Sequence, residues 1–323
     1  MTMKKKFSNF ALSVLAIVIP ILLGFELLIH TGYGPLFTNS IGFDAKIQYI
    51  EKNKIGQTDL LAIGSSITLN DLSSDVIRDS ISNISYFNFS CWGLQIRDVK
   101  PVLIHYLPRY RPKYIVICSS LNDFTNAGNT ASIENYFNTG DYFKQHFKEY
   151  FYIKNYNSLL DIFIRKQELK KHSHSNGDEY ASLNFDQYGA VLLNLSPQNI
   201  QSDRWNAVGG FPTAYTNEEY SELILLCKLL KERQIKLIFI QSPIRKAYIN
   251  TPGTQQILNN HFNVCDTIVE RYGGKYLNLH DTTVFSNDRM FVDQFHLSKY
   301  GATLFTQKAI TGIKAIIRSS NSK

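Results

Sequence analysis

The sequence predicts an α/β fold, a doubly wound and mostly parallel sheet, preceded by a transmembrane helix and interrupted by an aromatic-rich insertion. Three observations predict it. Several short runs are apolar at every position, as strands buried on both faces of a parallel sheet must be. Amphipathic stretches with helical spacing separate these runs, which is the rhythm of βαβ units. Glycines and turn-forming polar residues stand where the runs end. With 323 residues, 44% of them hydrophobic, the chain has apolar material for one large domain with insertions or two small ones, and its 4 cysteines are too few for a disulfide-built scaffold.

The first element lies at the amino end. After Lys4, Lys5 and Lys6, residues 7–29 carry a single charge, Glu26. At about 1.5 Å rise per residue, that run is long enough for a hydrocarbon core of ~30 Å. Pro20 is tolerated in such a helix as a kink, and the lysines are expected to stay cytoplasmic, placing the remainder in a periplasmic or extracellular compartment. A cleaved secretory signal over 11–24 competes with an uncleaved anchor, but no small-x-small cleavage site follows Gly24, so the anchor is preferred. Either reading exports the domain. The expected organisation is a basic tail and anchor over 1–30, a helical lead-in over 31–57, and an α/β domain over 58–323 with its insertion at about 124–215.

Within that domain, residues 59–64 read as the first strand. It ends in Gly64-Ser65-Ser66, and helical spacing continues through Val76 and Ile77. A shorter run ends Phe87-Asn88-Phe89, just before Cys91-Trp92-Gly93. Residues 114–118 form a further continuous apolar run, and 236–240 another, apolar from Leu237 onward. Between them a helix opens on Thr216-Asn217-Glu218-Glu219, a capping-box pattern, and carries Leu223, Leu226, Cys227 and Leu230 on one face. Another helix over 254–271 ends at Gly273-Gly274 and leads into a last strand at 276–279. The insertion holds Tyr142, Phe143, Phe147, Tyr150, Phe151 and Tyr152, a polar run with His172 and His174, and then Trp205. It reads as a cap over the sheet edge or as a packing subdomain, with the two histidines in a solvated loop.

Composition narrows the function. The net charge of +7 comes without any dense Lys/Arg stripe interleaved with aromatics, which argues against nucleic acid as a partner. Cys118, Cys227 and Cys265 fall on apolar positions and read as buried thiols, and the spacing of the four cysteines with Cys91 offers no metal knuckle. No metal or cofactor is expected.

Two motifs carry chemistry. A serine in the Gly64-Ser65-Ser66 turn projects from a strand's carboxyl end beside the free amides of a helix start, where an acyl-transfer nucleophile belongs; the same tripeptide also serves as an ordinary turn and cap. Near the other end, Asp293-Gln294-Phe295-His296 places a carboxylate three residues before a histidine, just ahead of a predicted helix. Asp293 is able to accept Nδ1–H while Nε2 faces a serine, the arrangement of a general base and its orienting acid. Asn122, after the 114–118 run, and Gly93, after the shorter one, offer an amide side chain and a backbone N–H that, with the N–H of Ser66, would hold an oxyanion. His280-Asp281 reads as a pair of turn caps rather than a second acid–base pair.

In this order the set resembles the SGNH (GDSL-like) hydrolase superfamily over residues 58 to 310. Ser66 matches the block I serine, Gly93 the block II glycine, Asn122 the block III asparagine, and Asp293 and His296 the block V Asp-x-x-His. Ser65 stands where the family has Asp, and Ser120 where it has Gly two residues before the asparagine. With one anchor and an exported domain, the chain looks like the branch containing the DltD and AlgJ-like proteins. That likeness implies acyl transfer onto, or ester hydrolysis from, a cell-envelope glycan or polyol polymer, with a membrane-bound O-acyltransferase as an implied partner. A non-catalytic docking protein of the same fold is the alternative. A nucleotide cradle at Gly64-Ser65-Ser66 ranks last, because both Gly-x-Gly-x-x-Gly and Gly-Lys-Ser/Thr are missing.

Overall fold

A computed structural model describes residues 3–30, 41–124, 184–194, 217–249, 253–281 and 283–321. Most of the aromatic insertion, including His172, His174 and Trp205, lies outside these residues. The described helices are α1 (Met3–His30), α2 (Ile41–Lys52), α3 (Ser66–Asp71), α4 (Ser74–Ser80), α5 (Ile96–Tyr110), α6 (Asn217–Glu232), α7 (Thr254–Arg271) and α8 (Lys299–Asn321). The strands are β1 (Leu60–Ala62), β2 (Tyr86–Asn88), β3 (Tyr114–Ser119), β4 (Lys236–Gln241) and β5 (Lys275–Asn278). They form one parallel sheet in the order β2-β1-β3-β4-β5, with Leu61 level with Phe87 on one side and with Ile115 on the other.

The all-apolar strands are explained by a core on each face. Along β3, Tyr114, Val116 and Cys118 join one core with β1 residues Leu60 and Ala62 and α8 residues Phe305, Ile313 and Ile317. Ile115 and Ile117 join the other, with Phe43 and Ile47 of α2, Val99 and Leu103 of α5, and Leu223 and Leu230 of α6. Each fully buried Leu, Ile or Phe contributes about 1.5–3 kcal/mol, so strand pairing and two-sided burial stabilise the same register. The chain steps from β1 outward to β2, then returns across β1 to β3. The order therefore reverses between β1 and β3, the switch point where open α/β sheets leave a crevice at their carboxyl edge.

One element differs from the sequence expectation, and three further details lay outside it. The helix expected from Ser66 through Ile77 is two helices, because Ser73 donates its N–H to Thr306 Oγ1 of α8 at 2.8 Å and caps α4 through Val76 N. The capping box expected with Glu219 involves Thr216, which lies outside the described residues. Glu219 is buried against α5, where it accepts the Arg97 amide at 3.2 Å and pairs with the Arg97 guanidinium. Cys91, like the other three cysteines, is a buried free thiol. Lys46, on the same helical face as Phe43, Ile47 and Ile50, is fully buried: Nζ donates to Asn88 O at 2.9 Å and to Gly189 O, and lies 4.0 Å from the Phe185 ring centroid. Burial pulls its pKa down to about 7 against the pull of Cys91 and Asp186, and its contacts pin the 184–190 segment to the end of β2.

The amino-terminal helix also departs from expectation. Among the described residues no helix is long and apolar enough to cross a membrane. Along α1 the large apolar side chains described are exposed, Phe7 at 73% and Ile21 at 64% among them.

Candidate active site

Ser66 is the first residue of α3, and the local sequence explains its placement. Ser65 stands in extended conformation as the N-cap, its hydroxyl accepting Ile67 N–H at 3.2 Å. Gly64 precedes it because a side-chain carbon there would overlap Thr68 Oγ1. That hydroxyl is committed elsewhere: it donates to Cys118 O at 2.6 Å and accepts Cys118 N–H at 3.0 Å, stitching α3 to β3. Asn88 Nδ2 donates to Thr68 O at 2.9 Å and ties the same helix to β2. The serine-bearing turn is thus fixed to the strands on either side of β1.

The histidine arrives from the loop before α8. Ser66 Oγ lies 2.7 Å from His296 Nε2, and His296 Nδ1 lies 2.7 Å from Asp293 Oδ2. The other oxygen of Asp293 accepts the amides of Phe295 and His296, both at 2.8 Å, which closes the loop into one tight turn. Burial alone would raise the Asp293 pKa, but the His296 charge and these hydrogen bonds outweigh it and hold it down at about 2. Asp293 is consequently an acceptor only, Nδ1 carries the ring proton, and Nε2 is left to accept the Ser66 hydroxyl. Burial would lower the His296 pKa; attraction to Asp293, then to Asp71 and Asp123, raises it instead.

The remaining candidates stand on neighbouring strand ends. Gly93 follows β2 and Asn122 follows β3, so with Ser66 after β1 they occupy three adjacent carboxyl ends at the switch point, and both are exposed. Gly93 has φ +72°, a left-handed conformation that favours glycine. The hydroxyl of Ser120 faces the next turn, accepting the Asn122 amide at 3.3 Å. The buried carboxyl of Asp123 accepts Ser119 Oγ–H at 2.9 Å and Ser120 N–H at 3.1 Å. Desolvation raises the Asp123 pKa against these bonds. Asp281 caps a turn, accepting Thr283 N–H at 2.8 Å, whereas His280 uses Nδ1 to accept Ile244 N–H at 3.2 Å. Among the described residues no cluster of three or more His, Cys, Asp or Glu is placed to hold a metal ion.

Asp71 and Ser242 belong to the site without having been predicted from the sequence. Asp71 is the last residue of α3, and Ser242 follows β4; both are buried and bonded to each other. The one signal was a carboxylate next to Asn70 between Leu69 and Leu72, easily taken for a solvated helix end.

No family model matches the chain, and no curated protein matches it. Among solved structures it is similar to mutants of Axe2. Two are catalytic mutants of the acetylxylan esterase Axe2 from Geobacillus stearothermophilus, at 13% identity with TM-score 0.43 and at 11% with TM-score 0.40. The third, a mutant described as an acetyl-xylooligosaccharide esterase, has 11% identity and TM-score 0.41. Each alignment covers 79% of this chain and 94% of the other. Likenesses this distant assign no chemistry to the site.

Proposed function

We propose that the chain is a serine esterase or O-acyltransferase of the SGNH type, with Ser66 as nucleophile, His296 as general base and Asp293 orienting it. One observation carries this reading: the hydrogen-bonded line from Ser66 Oγ through the His296 ring to Asp293, at 2.7 Å for each link, at the carboxyl edge of the sheet. Ser66 is only partly buried, so an ester has access to it.

The chemistry follows from the geometry. Ser66 Oγ bonds to the carbonyl carbon of an acyl ester as its proton passes to His296 Nε2. Amides of Ser66 and Gly93 and the side chain of Asn122 receive the developing oxyanion. The bond to the leaving alcohol breaks, His296 returns the proton to that alcohol, and an acyl-Ser66 ester remains. A water molecule (hydrolysis) or a hydroxyl of a glycan or polyol polymer (transfer) then gives its proton to His296 and takes the acyl group, and Ser66 recovers its proton. Asp293 keeps its charge throughout and stabilises the imidazolium.

A fluorophosphonate probe tests the reading, because only an activated serine displaces its fluoride. Intact-mass and peptide analysis should show one adduct per chain on Ser66 and none on the Ser66→Ala variant. A wild-type protein that stays unlabelled at probe concentrations saturating for other serine hydrolases removes the enzyme and favours the docking alternative.

The acylated substrate is proposed to be a cell-envelope glycan or related polymer met on the outer side of the membrane, in company with a membrane-bound O-acyltransferase. Anchoring is proposed through α1. Residues 7–25 carry no charge, and the side chains described along that helix present apolar groups on all sides. After alkaline carbonate washing the full chain should stay with the membrane pellet, and its release into the supernatant would refute the anchor.

A further inference from the structure

Asp293 and His296 share one loop, so their hydrogen bond orients the ring within that loop but leaves open what sets the loop's distance from Ser66. The connection comes from α3. Asp71, fully buried, lies five residues beyond Ser66 on the same short helix, and its Oδ1 accepts the amide of Leu297, the residue after His296, at 2.9 Å. Its Oδ2 accepts the hydroxyl of Ser242, after β4, at 2.6 Å. The backbone oxygen of Asp71 accepts Thr306 Oγ1 of α8 at 3.3 Å.

We propose that Asp71 is a positioning residue of the site, a buried carboxylate that ties the histidine loop to the helix bearing the serine and so holds Nε2 within hydrogen-bonding reach of Ser66 Oγ. The inference rests on the reading of Ser66, His296 and Asp293 as acyl-transfer machinery. A neutral tie of the same shape would hold the loop, but a charged one also acts on the ring. Among the described residues, three carboxylates raise the proton affinity of His296: Asp293 from its own loop, Asp71 from the end of α3, and Asp123 from the turn after β3. Asp71 faces in turn His296, Asp293 and, from β3, the Cys118 thiol. Burial raises its own pKa to about 7, opposed by His296, by Ser242 and by the Leu297 amide, so its charge is present only towards neutral and higher pH. An ionised Asp71 makes the base harder to deprotonate, which moves the acid limb of the rate profile upward.

Asp71→Asn retains an oxygen for Leu297 N–H and deletes the charge, whereas Asp71→Ala deletes the tie. Two readouts decide. In 15N-histidine-labelled protein, the His296 ring should titrate about half a pH unit or more lower in Asp71→Asn than in wild type, and the acid limb of kcat/KM should move with it. Asp71→Ala should lose roughly 10- to 100-fold in kcat at nearly constant KM, the scale of a small misplacement of reacting groups. If Asp71→Ala does not fold, Ser242→Ala takes its place: it removes one of the two donors to the carboxylate and should shift the His296 titration measurably. An unmoved His296 titration in Asp71→Asn overturns the inference, as does an Asp71→Ala or Ser242→Ala protein with wild-type kcat and pH profile. The ring titration needs no turnover. A wild-type protein without esterase activity but with the Asp71-dependent shift would refute the proposed function and leave the tie standing; an active protein without the shift would do the reverse.

Discussion

Ser66→Ala is expected to lower kcat for short acyl esters by about 10⁶, on the precedent of triads in which loss of the nucleophile costs as much as loss of the whole set. Background hydrolysis assisted by the strand-end amides should remain. The fold should be unaffected, because the hydroxyl removed is not the one that caps the helix. Ser65 accepts Ile67 N–H, and Thr68 binds β3 on both its donor and acceptor sides. Circular dichroism and a melting curve matching wild type, together with steady-state kinetics, check this. A Ser66→Ala protein that retains wild-type turnover ends the assignment of the nucleophile.

Asp293→Asn is expected to cost about 10⁴ in kcat with the fold intact, the effect of the same change in other triads. An amide oxygen still accepts the Phe295 and His296 N–H groups that Asp293 Oδ1 now accepts, so the loop keeps its turn. What changes is the ring. An amide NH₂ turned toward Nδ1 stabilises the tautomer with its proton on Nε2, which cannot accept from Ser66. The pH profile gives a second check. The His296 pKa is raised chiefly by Asp293 against desolvation, so in wild type the rate falls as pH drops through a value above the usual histidine range, while Asp293, held at about 2, stays ionised. With that raising influence removed, the residual activity of Asp293→Asn should keep its acid limb at lower pH than wild type. An acid limb at or above the wild-type position in the variant contradicts the assigned roles.

These expectations draw on features of unequal visibility in the sequence. The strands were legible because burial on both faces demands apolar residues at successive positions, and residues 114–118 and 237–240 meet that demand, with Lys236 only at the partly exposed start of β4. The serine turn and the Asp-x-x-His were legible because each is local: Gly64 and Ser65 shape the first, and three residues close the second. Interactions across long sequence separations were not. Asp71 reads as the polar end of a short helix until Leu297, 226 positions away, is brought against it. Glu219 reads as part of a helix cap, and nothing in its own segment records that it is also buried against Arg97, 122 positions away. Lys46 falls on the apolar helical face with Phe43, Ile47 and Ile50, and its partners inside, the carbonyls of Asn88 and Gly189 with the Phe185 ring, lie in other segments. In each case a polar group is buried because a partner distant in the chain satisfies it, and residue patterns within one segment carry no record of that partner.

The 230 positions between Ser66 and His296 bear on how the protein is made. A ribosome finishes the serine turn early and the imidazole near the close of translation, so polypeptides released anywhere ahead of position 296 possess the hydroxyl without the ring that faces it. If Ser66 and His296 act as proposed, such truncated products would lack the general base.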